Sequence, residues 1–170
     1  GGRGQGVPST PIRTLEGAPA GVSAPSIVAS SASSLLVSWV EPKQPNGIIA
    51  VYRLTYANGT TIEAASPGNI TVDGLAPYTT VSFTLEVCTG GSCTTSDTVR
   101  GTTDPAAPAD AATPEVTATE GGTGLTLAWE QPKTPHGKIS AYVIWVDGKA
   151  SSVVSSEDRS ATVSALSPFT

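Results

Sequence analysis

One phrase of nine residues occurs twice in this 170-residue chain, and that recurrence limits the fold more than any other feature. Trp39-Val40-Glu41-Pro42-Lys43-Gln44-Pro45-Asn46-Gly47 returns 90 positions later as Trp129-Glu130-Gln131-Pro132-Lys133-Thr134-Pro135-His136-Gly137. Leu35, Val37, Ile49 and Tyr52 have counterparts in Leu125, Leu127, Ile139 and Tyr142 at the same offset. Upstream, Pro19 and Pro25 match Pro108 and Pro114 at an offset of 89; downstream, Leu75, Pro77 and Thr79 match Leu166, Pro168 and Thr170 at 91. Drifts of one residue belong in loops, because a slip inside a strand turns its core face outward. Solenoid repeats run to about 20–50 residues, so this longer period describes whole domains. Three pieces are expected: residues 1–18 as the tail of a preceding module, 19–104 as one complete module, and 105–170 as a module that stops early. Both ends read as cuts through a longer chain.

Within the period the apolar residues alternate. Leu35, Val37 and Trp39 share one face of a strand that Pro42 and the Pro45-Asn46-Gly47 turn bring to an end. Tyr52, Leu54 and Tyr56 share one face of the next, and Asn58-Gly59 predicts a two-residue hairpin turn with positive φ at both positions. Thr60 to Ala64 forms the return strand, and Ile70 with Val72 another. Val81, Phe83, Leu85 and Val87 give the longest alternating run, expected at the centre of a sheet. Thr94 to Thr103 is read as one last strand. Short strands bounded by turns at this spacing predict an all-β sandwich whose inner faces close around Trp39 and Trp129. Carbohydrate stacking is the rival role for either indole. The core is expected to hold Trp39, Tyr52, Leu54, Leu75, Phe83 and Leu85 in one module, and Trp129 and Tyr142 in the other.

Charge and composition exclude several partners. Net charge is −5 with no basic cluster, so a nucleic acid or an anionic membrane surface finds no stripe of Lys and Arg to neutralise it. No apolar run reaches the ~18 residues of a membrane span, and Gly1 to Gly6 lack the apolar stretch of a signal peptide. Eighteen Gly and 14 Pro break every long helical window.

The residues Ser34 to Trp39, followed by Tyr52-Arg53-Leu54-Thr55-Tyr56, resemble strands B and C of a fibronectin type III domain. Leu75-Ala76-Pro77-Tyr78-Thr79 is similar to that family's approach to strand F. The resemblance covers essentially the whole chain and occurs twice. It implies tandem fibronectin type III (immunoglobulin-like) β-sandwiches, seven strands per complete module, with the second module lacking strands F and G. A narrower likeness is to the modules of one very large extracellular protein. The Arg13-Thr14-Leu15-Glu16 boundary, the two Pro-x-Gly turns and the run Cys88-Thr89-Gly90-Gly91-Ser92-Cys93 carry it. Two departures stand out. Val81 occupies the place where the family puts a corner tyrosine, so the hydroxyl bond it would make is missing at a cost of about 1 kcal/mol, and a looser corner is expected. No Arg-Gly-Asp triplet occurs; Arg3-Gly4-Gln5 lacks the carboxylate.

Cys88 and Cys93 bracket four residues, a spacing that suits a disulfide across a hairpin, with reduced thiols as the rival state. Two sulfurs and one distant histidine fall short of a metal's four ligands, and Cys-x-x-Cys is absent. Asn58-Gly59-Thr60 and Asn69-Ile70-Thr71 are N-glycosylation triplets; Asn58, in the expected exposed hairpin turn, is the better candidate of the two, although turn geometry alone also explains an Asn-Gly there. His136, the single histidine, fills the turn position of Asn46 and is read as a turn residue. Serines abound, but none lies in a nucleophile elbow, and one histidine would have to serve them all. No catalytic group and no cofactor-binding motif is expected.

The functional expectation is a non-catalytic extracellular adhesion or scaffold array, secreted or part of a membrane-anchored ectodomain, making no direct membrane contact through this segment. The narrower likeness implies basement membranes and the fibrous links of photoreceptors and hair bundles, with collagen or other matrix and adhesion proteins as partners. Spacer modules of a secreted polysaccharide-degrading enzyme are the alternative, although the cysteine-bracketed hairpin argues against it. Residues 105–170 alone are expected not to fold cooperatively, and 19–104 to do so.

Overall fold

The computed structural model describes residues 15–57, 59–119 and 123–164. All regular structure among them is β, in thirteen strands, and no helix there is long and apolar enough to cross a membrane. The chain divides into two compact units: residues up to 28 with 35–72 and 80–101, and residues 29–34 with 73–79 and 102 onward.

Eight strands belong to the first repeat: β1 (Ser26–Ser31), β2 (Ser34–Trp39), β3 (Ile49–Tyr56), β4 (Thr60–Ala64), β5 (Gly68–Val72), β6 (Thr80–Thr89), β7 (Cys93–Thr95) and β8 (Val99–Thr102). One sheet runs β1-β2-β5; the other runs β4-β3-β6-β7, with β8 also on β6. Period-2 alternation decides what each sheet buries. Leu35, Val37 and Trp39 turn inward from β2, Tyr52 and Leu54 from β3, and Val81, Phe83, Leu85 and Val87 from β6; all are buried. Each such side chain taken from water contributes about 1.5–3 kcal/mol, which makes this the stabilising centre of the first unit. Tyr56 stacks on Phe83 at 5.6 Å between ring centroids. The two sheets meet closely at Gly101, where a Cβ would lie 2.3 Å from Ile27 Cγ2.

Three sequence expectations change here. The β3–β4 hairpin pairs Tyr56 with Thr60, so residues 57–59 connect the strands. Its left-handed positions include Ala57 (φ 48°) and Gly59 (φ 89°), so positive φ begins one residue earlier than the two-residue turn requires; Asn58 lies outside the described residues. The last strand is two segments rather than one. Ser96 breaks it by folding its own hydroxyl into the ladder: Leu85 N donates to Ser96 Oγ at 3.0 Å, and Ser96 N donates to Leu85 O at 2.7 Å. Leu75 is half-buried rather than part of the sealed core.

In the second unit the corner expected to be loose is closed by Thr103. Its hydroxyl accepts from Thr79 N at 2.9 Å and donates to Ala76 O at 2.8 Å, with only 2% of the residue exposed. Tyr78 N donates to Asp104 O and Thr103 N to Thr79 O, both at 3.1 Å. Tyr78 itself points outward, 54% exposed, at φ 50°. A threonine 24 residues downstream of Thr79 thus bonds back to the corner, where the missing hydroxyl bond of the family's tyrosine was expected to leave it loose.

The second repeat contributes β9 (Glu115–Ala118), β10 (Gly124–Ala128), β11 (Ala141–Val146), β12 (Lys149–Ser155) and β13 (Ser160–Ser164). They form a sheet β13-β10-β9 and a pair β11-β12. Leu166, Pro168 and Thr170 lie outside the described residues. Ile144 and Val163 are buried, but Trp129 and Tyr142, expected in the core, are only half-buried. They line an apolar cleft of about 460 Å³ with Leu127, Ile144 and Pro108. No facing layer closes over them among the described residues. Their rings lie 5.5 Å apart, and both Trp129 Nε1 and Tyr142 OH are buried without a hydrogen-bond partner.

Candidate functional site

The repeated Pro-x-Gly turn is where the chain gathers its densest set of long-range polar contacts. In the first copy Asn46 adopts φ 53°, a left-handed conformation that asparagine tolerates. That twist aims its side chain back at the segment entering the module, and Nδ2 donates to Ala18 O at 2.8 Å. Gly17 N donates to Asn46 O at 2.9 Å, and Ala20 pairs with Gln44 through two bonds of 2.7 and 3.1 Å. Glu16 spans the turn and the disulfide-bracketed hairpin: Oε1 accepts from Ile48 N at 3.4 Å, and Oε2 accepts from Gly90 N at 3.0 Å. The hairpin contributes two hydroxyls, Thr89 Oγ1 donating to Gly17 O at 3.0 Å and Thr94 Oγ1 to Pro19 O at 2.6 Å. A Cβ on Gly47 would stand 2.8 Å from Glu16 Cβ, so the entering segment passes through the space that a side chain would fill.

The second copy repeats this clamp with different side chains. His136 takes φ 50° and Ala106 N donates to His136 O at 2.9 Å. His136 Nδ1 lies 2.9 Å from Ala107 O. A carbonyl oxygen only accepts, so the ring proton sits on Nδ1. Ala109 N donates to Thr134 O at 2.8 Å, and Thr134 Oγ1 donates to Asp110 Oδ2 at 2.8 Å. A Cβ on Gly137 would lie 2.7 Å from Pro105 Cβ. Pro105 therefore takes the place of Glu16, and the carboxylate is not repeated.

Cys88 and Cys93 are joined in a disulfide across the β6–β7 pairing. The Glu86 carboxylate lies near both sulfurs. These sulfurs bond each other, and Glu86 is paired with Arg53, so the three groups do not present a free ligand set. Arg53 also reaches Glu63 at 3.0 Å; hydrogen bonds to Glu63 and then Glu86 raise the guanidinium's pKa above its ordinary value. Burial, and secondarily the Glu41 charge, raises that of Tyr52. Asn69 is exposed on β5. Sequence reasoning located the turns but missed Glu16, Thr89 and Thr94, which bind the entering segment against them, and Thr103, which closes the Ala76–Thr79 corner; no periodic signal in the sequence marks any of the four.

A two-sheet sandwich carrying this entry clamp defines the class, and the family model for the fibronectin type III domain matches residues 17–102. The chain belongs to the fibronectin type III family. More particularly, it is similar to usherin: 37% identical to the Rattus norvegicus protein over 164 residues, covering 94% of this chain, and 35% to that of Homo sapiens over 162, covering 93%. The chain spans about 3% of the length of either usherin. It is also 31% identical over 184 residues to receptor-type tyrosine-protein phosphatase F of Mus musculus, covering 98% of this chain and 10% of that protein. The match to phosphatases is through their fibronectin type III parts.

Proposed function

We propose that the chain is part of a non-catalytic extracellular scaffold of a large usherin-like protein, spacing and presenting binding surfaces in cell–matrix or cell–cell links. One observation carries this reading. Both Pro-x-Gly turns bind the segment that leads into their own module, so each module enters on a fixed path. Asp104 is bonded to Ser31 and Tyr78, and Ala106 to His136, which leaves Pro105 alone between bonded residues. A one-residue tether of proline restricts bending. In this reading residues 1–18 close a preceding module, 19–104 form a whole one and 105–170 begin another. The disulfide supports an oxidising compartment. The likeness to usherin supports a place in basement membranes and in the links of photoreceptors and hair bundles, and supports collagen or adhesion proteins as partners.

Spin labels at exposed positions of each module, read by pulsed electron resonance, test the mechanical part. A single narrow distance distribution is expected, broadening in Gly137→Ala as the clamp opens. A broad distribution in the unaltered chain would sink the spacer mechanism.

A further inference from the structure

We infer that Asn69 is an N-glycosylation site and that its glycan guards the free edge of the β1-β2-β5 sheet; this rests on the extracellular reading above. β5 is the outer strand of that sheet, bonded on one side to β2. An uncovered edge presents alternate N–H and C=O groups to any extended chain that approaches. Within β5, Val72 is buried and Ile70 half-buried, so the alternation turns Asn69 and Thr71 outward together, and both are exposed. The Asn69-Ile70-Thr71 triplet thus sets its carboxamide and its hydroxyl side by side on the solvent face, and among the described residues neither side chain is engaged in a hydrogen bond.

The second repeat supplies an internal contrast. β13 pairs with β10 as β5 pairs with β2, but Ser160 and Thr162 stand where Asn69 and Thr71 do, so that edge has no acceptor. In the transfer, Asn69 Nδ2 forms a bond to the anomeric carbon of a polyprenyl-diphosphate-linked oligosaccharide. The bond from that carbon to the diphosphate oxygen breaks, releasing polyprenyl diphosphate and one amide proton. A hydrophilic branched sugar on the second residue of a five-residue strand, rising from the solvent face beside the edge, crowds the approach of a second strand.

The test is peptide mass spectrometry of the full chain, carried by a secretion signal through a eukaryotic secretory pathway and deglycosylated in ¹⁸O water. Cleavage after Glu63 and Glu86 separates Asn69 from Asn58 and from the cysteines. The expected result is conversion of Asn69 to ¹⁸O-labelled aspartate, lost in Thr71→Ala and in Asn69→Gln. Unlabelled Asn69 in secreted chains whose Cys88 and Cys93 are oxidised overturns the site while leaving the extracellular reading in place. Labelled Asn69 beside free thiols supports the site and counts against the oxidising-compartment argument. Sedimentation velocity reads the guarding role: the deglycosylated chain is expected to self-associate where the glycosylated chain is monomeric. Equal behaviour of the two overturns that role.

Discussion

Replacing Gly47 with alanine separates the clamp from the turn that carries it. Gly47 lies outside the left-handed region, so alanine brings no backbone strain of that kind. What it brings is a methyl 2.8 Å from Glu16 Cβ and 3.0 Å from Glu16 Cγ, where neither the turn nor the entering backbone can yield cheaply. The entering segment must lift, and the bonds nearest the methyl go with it: Ile48 N and Gly90 N to Glu16, Gly17 N to Asn46 O, and Asn46 Nδ2 to Ala18 O. Each bond contributes about 0.5–1.5 kcal/mol, and these are exposed enough for water to replace part of it, so a total of about 1–2 kcal/mol is expected. For a module of this size that loss lowers the first melting transition by roughly 5–15 °C. Amide exchange at Gly17 and Gly90 should quicken in the same variant. In a Glu16→Gly background, which removes the opposing Cβ, the alanine should cost much less, because the two effects share one contact. An unchanged transition with Gly17 and Gly90 still protected would show that the segment does not occupy the space above Gly47.

Thr103→Val keeps the shape of a buried side chain but leaves Thr79 N and Ala76 O without partners, and should cost about 1–3 kcal/mol in denaturant unfolding. A loss under a few tenths would show that the corner does not depend on the hydroxyl. Changing both Cys88 and Cys93 to serine opens a short loop and should remove about 2 kcal/mol by chain entropy, read as a lower urea midpoint. The raised Tyr52 pKa gives an alkaline limb. The unfolded phenol ionises near the ordinary value of about 10 while the folded one still holds its proton. Stability is therefore full below that pH and falls as pH rises through the folded value; Tyr52→Phe should flatten the fall, and an identical alkaline profile in the variant would refute the assignment.

What the sequence disclosed, and what it hid, follow from the range of each interaction. Alternation is local, so Leu35, Val37, Trp39, Phe83 and Leu85 were legible as one buried layer before any fold was known. Alternation does not say what covers a face: Trp129 and Tyr142 alternate correctly yet stand in an open cleft. Nor does it say what a face carries. Arg53 and Glu63 form an ion pair at the register position where the second repeat sets Val143 opposite Val153. Bonds from a side chain to distant backbone leave no periodic trace at all. Glu16 reaches Gly90 and Thr94 reaches Pro19 across more than seventy residues, and in a chain so rich in serine and threonine no composition signal marks Thr94 or Thr103. The Pro-x-Gly turn lies between these cases. Its recurrence is plain, and turn chemistry accounts for Asn46 and His136, whose left-handed φ it requires. It does not account for Gly47, whose backbone does not need glycine. That residue is explained only when the segment passing over it is in place.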